Sequence, residues 1–188
     1  MRANSLRESP SQTAGPYVHI GCVPNFCGIE GVYGADLGRH PLDDRARGEP
    51  LTIAGTCYDG VGAPLTDALI EIWQADADGN LPSDDAHFTG WARQAADLET
   101  GEWVFQTIRP GPTADGQAPH ILIWIAARGI NLALQTRMYF PDEDNTGDPV
   151  LALCQDRAAT LIAMKTDDAA YRFEIHLQGP NETVFFDY

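Results

Sequence analysis

The chain has 188 residues, 44% of them hydrophobic and 21% charged, which is typical of one globular domain large enough to bury its own core. Its 27 acidic residues outnumber 12 basic ones and give a formal net charge of −15 at pH 7, so nucleic acid is not an expected partner. No run of 18 apolar residues and no apolar secretory segment occur, so we expect a cytoplasmic protein with no membrane attachment.

The N-terminal quarter is predicted to differ from the rest of the chain. Residues 1–48 are rich in Gly, Pro, Asn, Asp and Arg with little periodicity, which predicts an irregular arm and loop. Residues 49–188 are predicted to form one β domain. Its first strands are expected at 51–58 (LTIAGTCY) and 68–75 (ALIEIWQA), separated by Asp-Gly and Gly-x-x-Pro turn signals.

The rest of the domain contains further short strands and a helical segment. Residues 81–100 have little β-propensity and are predicted to form a loop. Strands are predicted at 102–108, 120–127, 132–140 and 171–177, and short helices at 149–154 and 157–164. Asp148 before Pro149 is a typical helix start, with Asp as the N-cap. Together these patterns predict an all-β fold, a β-sandwich with a few short helices and an irregular N-terminal arm.

The stretch APHILIWIAARG (118–129) is predicted to be a strand with two different faces. His120, Leu122, Trp124, Ala126 and Arg128 would lie on one face, because successive side chains of a strand point to opposite sides. The other face would be wholly apolar. A histidine at position 122 would complete an H-x-H pair able to bind a metal, but the residue there is leucine.

Sequence motifs for common catalytic sites are missing. G-x-S-x-G, HExxH and glycine-rich phosphate loops do not occur, and the five histidines are scattered. Cys22 and Cys27 form C-x4-C without a second pair at zinc spacing, so the four cysteines are expected to be free thiols. From these residues alone, an enzyme and a binding module remain equally open.

One long segment carries a family resemblance. PLTDALIEIWQADADGNL (64–81) resembles the signature of the intradiol ring-cleavage dioxygenases, bacterial non-haem ferric enzymes that cut catechols between the two hydroxyl-bearing carbons. Blocks at 11–21, 101–111, 118–140 and 181–188 resemble the same family in the same order. The likeness covers nearly the whole chain, and it implies a small aromatic substrate.

The resemblance also implies where this chain departs from an iron enzyme. The family holds iron with two tyrosines and two histidines, the histidines as H-x-H. Here His120 stands at the first histidine position and Leu122 at the second, and Thr113 follows RPGP where a tyrosine is expected. Hard ferric iron needs anionic oxygen and imidazole donors, so no metal site is expected in this chain. The resemblance implies a catalytically inactive α subunit, with Fe(III) in a partner β subunit.

Four residues are expected to help wall the partner's substrate pocket. By resemblance, Arg128 lies at a strand end, where its guanidinium could pair with a substrate carboxylate, with a surface salt bridge as the alternative. Gly15, Pro16 and Tyr17, in TAGPY, would approach the pocket closely or serve only as a docking arm. The acidic charge is expected to serve solubility, or alternatively contact with a more basic partner chain.

Two other interpretations stay open. A stand-alone enzyme could take its iron ligands from elsewhere in the chain, such as His19, His87 and Tyr139. A non-catalytic sandwich module of transthyretin-like or carbohydrate-binding type would carry turns similar to P-L-x-D-A-x-I-E-I. The first interpretation predicts iron in the purified single chain, and the second predicts a monomer without an iron-bearing partner.

Overall fold

The computed structural model describes residues 12–187, and within that range nine strands form two sheets. The strands are β1 (Pro50–Tyr58), β2 (Leu69–Gln74), β3 (Trp91–Ala95), β4 (Glu102–Ile108), β5 (His120–Ala126), β6 (Leu134–Tyr139), β7 (Met164–Asp167), β8 (Ala170–Arg172) and β9 (Ile175–His176). The helices are α1 (Pro16–Cys22), α2 (Pro149–Cys154) and a 3₁₀ helix, Gln155–Leu161. The predicted all-β sandwich with few short helices is confirmed.

The two sheets differ in how their strands are connected. The first has the order β4-β1-β8-β7, and β9 also pairs with β1. Its β8 and β9 run parallel to β1, while β4 runs antiparallel. The second has the order β3-β2-β5-β6, with every neighbouring pair antiparallel. Antiparallel hairpin connections allow one face of this second sheet to carry functional side chains while the other packs on the core.

The main core lies between the inner faces of the two sheets. Ile121, Ile123 and Ile125 of β5 are buried there, together with Trp103 and Phe105 from β4. The predicted apolar face of β5 is therefore confirmed. Burial of this apolar surface is the main favourable contribution to folding.

The outer face of the second sheet carries two separate packing regions. Near the end of β5, α1 and the residue that follows it pack on Leu69, Ala95 and Trp124 through Val18, Cys22 and Val23. Near the start of β5, α2 and the 3₁₀ helix pack on Tyr139 and Ala118. The outer face at the start of β5, at His120 and Leu122, also lines a cavity.

Several local predictions are wrong. β3 lies inside the segment predicted as a loop, and α1 lies inside the arm predicted as irregular. The single strand predicted at 171–177 is divided into β8 and β9, with Phe173 and Glu174 between them. The second predicted helix extends too far, because β7 begins at Met164.

Three further expectations can be compared with the described residues. Cys22, Cys27, Cys57 and Cys154 are all free thiols, as predicted. Between residues 12 and 187 there is no helix long and apolar enough to cross a membrane. β1 begins at Pro50, next to the boundary predicted after residue 48, but the division into arm and domain stays a prediction.

Candidate functional site

A cavity of about 600 Å³ opens on the outer face of the second sheet, at the start of β5. Its lining includes side chains from β5, from β6 and from two loops: Asn80, Leu81, Pro82, Asp84, Thr113, Asp115, Gln117, His120, Leu122 and Arg137. Thr113, His120 and Leu122 are the three positions at which the family resemblance expected iron ligands or their replacements. The structure therefore brings together the residues that sequence analysis compared with an iron site.

His120 keeps the geometry of a metal-binding histidine. It is 6% exposed, and its Nδ1 lies 2.8 Å from the carbonyl oxygen of Ala118. Because a carbonyl only accepts, Nδ1 must donate, which leaves the lone pair on Nε2. Burial lowers the pKa of His120, and the positive charge of Arg137 lowers it further. His120 is therefore held as a neutral imidazole.

The neighbouring positions supply no matching donors. Leu122 has an alkyl side chain without a lone pair, and the Thr113 hydroxyl donates to the carboxylate of Asp115. Tyr139 packs its ring against His120 with centroids 5.4 Å apart, but burial raises the pKa of its phenol. A neutral phenol is a poor ligand for ferric iron, which prefers anionic oxygen.

Arg137 is a buried cation in this cavity that sequence analysis missed. It lies on β6 directly opposite Leu122 of β5, so the two side chains share one face of the sheet. Arg137 donates to the side-chain oxygen of Gln117 and lies 3.4 Å from the phenol oxygen of Tyr139. The strands predicted at 120–127 and 132–140 are joined by a short connection, and their antiparallel pairing was the signal that could have revealed it.

Asp148 connects the cavity floor to α2. Its Oδ1 accepts from the backbone N–H groups of Val150 and Leu151, each at 2.8 Å, which confirms the predicted N-cap. Its Oδ2 accepts from the Ala118 N–H at 2.8 Å, and the Tyr139 hydroxyl lies 3.3 Å from its Oδ1. One carboxylate therefore connects three parts of the chain: the start of α2, the backbone just before His120, and the Tyr139 side chain.

The donor set does not fit the iron of the family. Among residues 12–187 no group of three or more His, Cys, Asp or Glu side chains could hold a metal ion. At the cavity rim, Asp84 pairs with Arg47 at 3.2 Å, and Asp115 accepts from Thr113 and Gln117. These carboxylates are already engaged, and the buried guanidinium of Arg137, which also lines the cavity, is not a metal ligand.

A second, smaller pocket of about 260 Å³ lies where the arm meets the far end of β5. Gly15, Pro16 and Arg128 line it together with His19 and Asp67. The Gly129 N–H donates to the Thr13 hydroxyl at 2.6 Å, which ties the arm to the turn after β5. Three of the four residues expected to wall a substrate pocket therefore lie together.

Arg128 and Tyr17 are turned towards solvent. The Arg128 side chain is 75% exposed, and its Nε lies 3.6 Å from Asp67 Oδ2, which is the long, exposed kind of ion pair that stabilises little. Tyr17 is 83% exposed. β5 alone spans roughly 20 Å at ~3.3 Å per residue, so Arg128 lies too far away to reach the cavity at the start of the strand.

The three ligands proposed for a stand-alone enzyme lie in different environments. His19 lines the arm pocket, and burial lowers its pKa. His87 Nδ1 lies 3.0 Å from Asp43 Oδ2. Tyr139 lies beside the cavity at the start of β5. The structure does not bring these side chains to one point.

Comparison with known proteins decides the family. A family model described as dioxygenase matches residues 24–179. The protocatechuate 3,4-dioxygenase alpha chain of Pseudomonas putida is 41% identical, covering 97% of this chain and 98% of that protein. The chain belongs to the intradiol dioxygenase family. Intradiol dioxygenases are iron-dependent oxidoreductases, so the enzyme class expected from sequence is confirmed.

A dioxygenase beta chain and a solved dioxygenase structure are also similar to this intradiol dioxygenase chain. The protocatechuate 3,4-dioxygenase beta chain of Burkholderia cepacia is 32% identical, covering 81% of this chain and 78% of that protein. The solved structure of an intradiol ring-cleavage dioxygenase from Tetranychus urticae has a TM-score of 0.61 at 17% identity, covering 91% of this chain and 94% of that one. At that identity the likeness shows the shared fold. These findings favour a dioxygenase subunit over the binding-module interpretation.

Proposed function

We propose that this chain is the α subunit of a protocatechuate 3,4-dioxygenase, and that it contains no iron site of its own. The observation that carries the proposal is the cavity at the start of β5, where Leu122, Thr113 and Arg137 stand around a histidine that is oriented like a ligand. A β subunit would hold the Fe(III). The assembled enzyme would use O2 to open protocatechuate to 3-carboxy-cis,cis-muconate.

The α chain would contribute to the partner's pocket through the arm and Arg128. Arg128 is exposed to solvent and lies at the opposite end of β5 from the cavity around His120. A role for Arg128 in binding therefore requires a ligand outside that cavity. Its guanidinium can pair with the carboxylate of protocatechuate. Gly15 and Pro16 would bring backbone close to that ligand, and Tyr17 would cover it.

The test is iron content and visible absorption of the chain purified alone and after production with its β subunit. The proposal expects a colourless, metal-free single chain and a complex with the strong visible absorption of a ferric–tyrosinate centre. Iron and colour in the single chain would contradict it and bring back the stand-alone enzyme.

A further inference from the structure

The turn that carries Arg128 is held from outside by the N-terminal arm. Residues Ala127 to Ile130 form this turn, in which the Ile130 N–H donates to the Ala127 carbonyl at 3.2 Å. Gly129 has a φ of +89°, the left-handed conformation that glycine adopts easily at the third position of such a turn. The N–H at this position takes no part in the turn's own hydrogen bond, and here it donates to the Thr13 hydroxyl at 2.6 Å. The arm therefore contacts the residue next to Arg128.

The arm is attached at a second point, on the outer face of the second sheet. There α1 packs through Val18 and Cys22. Residues 14–16, which follow Thr13, line the arm pocket of about 260 Å³ together with Arg128. The hydrogen bond to Thr13 therefore joins two walls of this pocket, the arm and the turn.

The Arg128 side chain depends on this backbone for its position. It is 75% exposed and pairs with Asp67 at 3.6 Å, a long, exposed ion pair that holds an arginine weakly. The backbone of the turn therefore determines where the guanidinium lies. A misplacement of about 1 Å in a group that positions a substrate is enough to slow a reaction substantially.

We propose that Thr13 is a positioning residue for Arg128, and that its hydroxyl sets where the guanidinium meets a carboxylate ligand. The hydroxyl contacts the peptide N–H next to Arg128, so it acts through the turn. This inference rests on the proposed function, in which Arg128 binds the carboxylate of protocatechuate. It predicts that the hydroxyl affects substrate binding, and therefore KM, more than the turnover number.

The test is steady-state kinetics with protocatechuate in the assembled complex with the β subunit. Thr13→Val keeps the branched shape of the side chain and removes the hydroxyl. We expect it to raise KM about 5-fold, the size of one neutral hydrogen bond, and to change kcat less than about 2-fold. Thr13→Ser restores the hydrogen-bond acceptor, so its KM is expected to stay within about 2-fold of the wild-type value. Iron content is expected to be the same in every variant.

A double variant separates positioning from a general structural role. If Thr13 acts through Arg128, Thr13→Val should change KM less than about 2-fold when it is combined with Arg128→Ala, because the guanidinium that it positions is gone. A structural role would lower kcat/KM by the same factor with and without Arg128. Thr160→Val is the matched control, because its hydroxyl also accepts a backbone N–H, from Val184 at 3.2 Å. This control is expected to leave KM unchanged.

Different results contradict the two proposals. Wild-type kinetics for Arg128→Ala would overturn the proposed role of Arg128, and the inference about Thr13 with it. A reduced kcat/KM for Arg128→Ala beside an unchanged KM for Thr13→Val would overturn the positioning role alone. So would an equal effect of Thr13→Val in both backgrounds, or a Thr13→Ser variant that behaves like Thr13→Val. Thr13→Ala takes the place of Thr13→Val if the latter does not assemble with the β subunit.

Discussion

The two ends of β5 carry polar residues in opposite situations. At its start, the side chains of His120, Arg137 and Asp148 are buried, and each is hydrogen-bonded to another residue of this chain. Beyond its end, Arg128 and Tyr17 are exposed and make few contacts within the chain. The polar groups of the first region are hydrogen-bonded within the chain, although the region has the shape of a binding site. The exposed side chains of the second region contribute little to the stability of the fold.

This difference separates residues that stabilise the fold from residues available to another molecule. A buried polar group must be paired inside the protein, since leaving it without a partner costs more than the bond gains. An exposed arginine with one ion pair at 3.6 Å keeps most of its binding capacity for a partner or ligand. Substitutions at the two ends are therefore expected to change different properties.

The largest expected effect is loss of stability at the buried end. Asp148→Ala removes the acceptor for Ala118, for the first turn of α2 and for Tyr139. We expect the free energy of unfolding to fall by about 3 kcal/mol, measured by urea denaturation. Asp144→Ala, in an exposed loop, is the control and should cost less than about 1 kcal/mol. Equal costs for both variants would contradict the structural importance of Asp148.

The second effect is on catalysis at the exposed end. In the assembled complex, Arg128→Ala is expected to raise KM or lower turnover, reducing kcat/KM about 10-fold through loss of a charged hydrogen bond, with iron content unchanged. Arg45→Ala is a matched control, because its side chain is 73% exposed and it pairs with Asp43. Wild-type kinetics for Arg128→Ala would remove Arg128 from the site.

A smaller effect is the pH dependence of stability, which both ends share. Burial lowers the pKa of His120 and of His19, so the unfolded chain binds a proton more readily than the folded chain. Stability should therefore decrease as pH falls below about 6.5, by at most ~1.4 kcal/mol per pH unit for each histidine.

Substitution of each histidine measures its share of this pH dependence. His120→Gln and His19→Gln should each flatten the curve of unfolding free energy between about pH 6.5 and 5. Chemical denaturation across that range measures the slope. His176→Gln provides a control on the first sheet. An unchanged slope in both test variants would show that neither imidazole is held neutral.

The smallest expected effect is at Leu122. Leu122→His alone should create no iron site, because Thr113 supplies no phenolate and burial raises the pKa of the Tyr139 phenol. Iron analysis after purification in the presence of ferrous and ferric salts measures this. Stoichiometric iron in the single variant would mean that other ligands are already in place.

Much of the fold follows from periodicity in the sequence. The alternation of apolar and polar residues in β1, β2, β4 and β5 marks strands with one buried face, and the family signature lies on β2. Asp148 and Pro149 mark the start of α2 through local chemistry alone. These signals are local, so a single sequence contains them.

The missed elements depend on contacts across the sheet. β3 reads WARQA, with little β-propensity, and it is held by β2: Trp91 and Arg93 both donate to the Glu71 carboxylate. Between β8 and β9, the Glu174 carboxylate accepts from the Thr56 N–H at 3.2 Å, where a strand would use its backbone. No local pattern in the sequence encodes either contact.

Gly55 shows the same dependence on a distant segment. A Cβ at this position would lie 2.0 Å from the carbonyl oxygen of Phe173 and 2.4 Å from the Trp103 ring. A glycine is required here because the backbone of Phe173, between β8 and β9, passes very close to Gly55. The position of Arg137 in the cavity was missed for a related reason, since it depends on the pairing of β5 with β6 and on the contact with Gln117.

The edge formed by β7 also has a consequence for how copies of this chain meet. All four residues from Met164 to Asp167 are exposed, and the pairing with β8 shifts between Lys165 and Asp167. A charged, irregular edge is a poor template for a further strand, which is how sheet proteins resist aggregation. This edge of the first sheet is therefore expected to resist pairing with another chain, even at the high concentrations reached during overproduction.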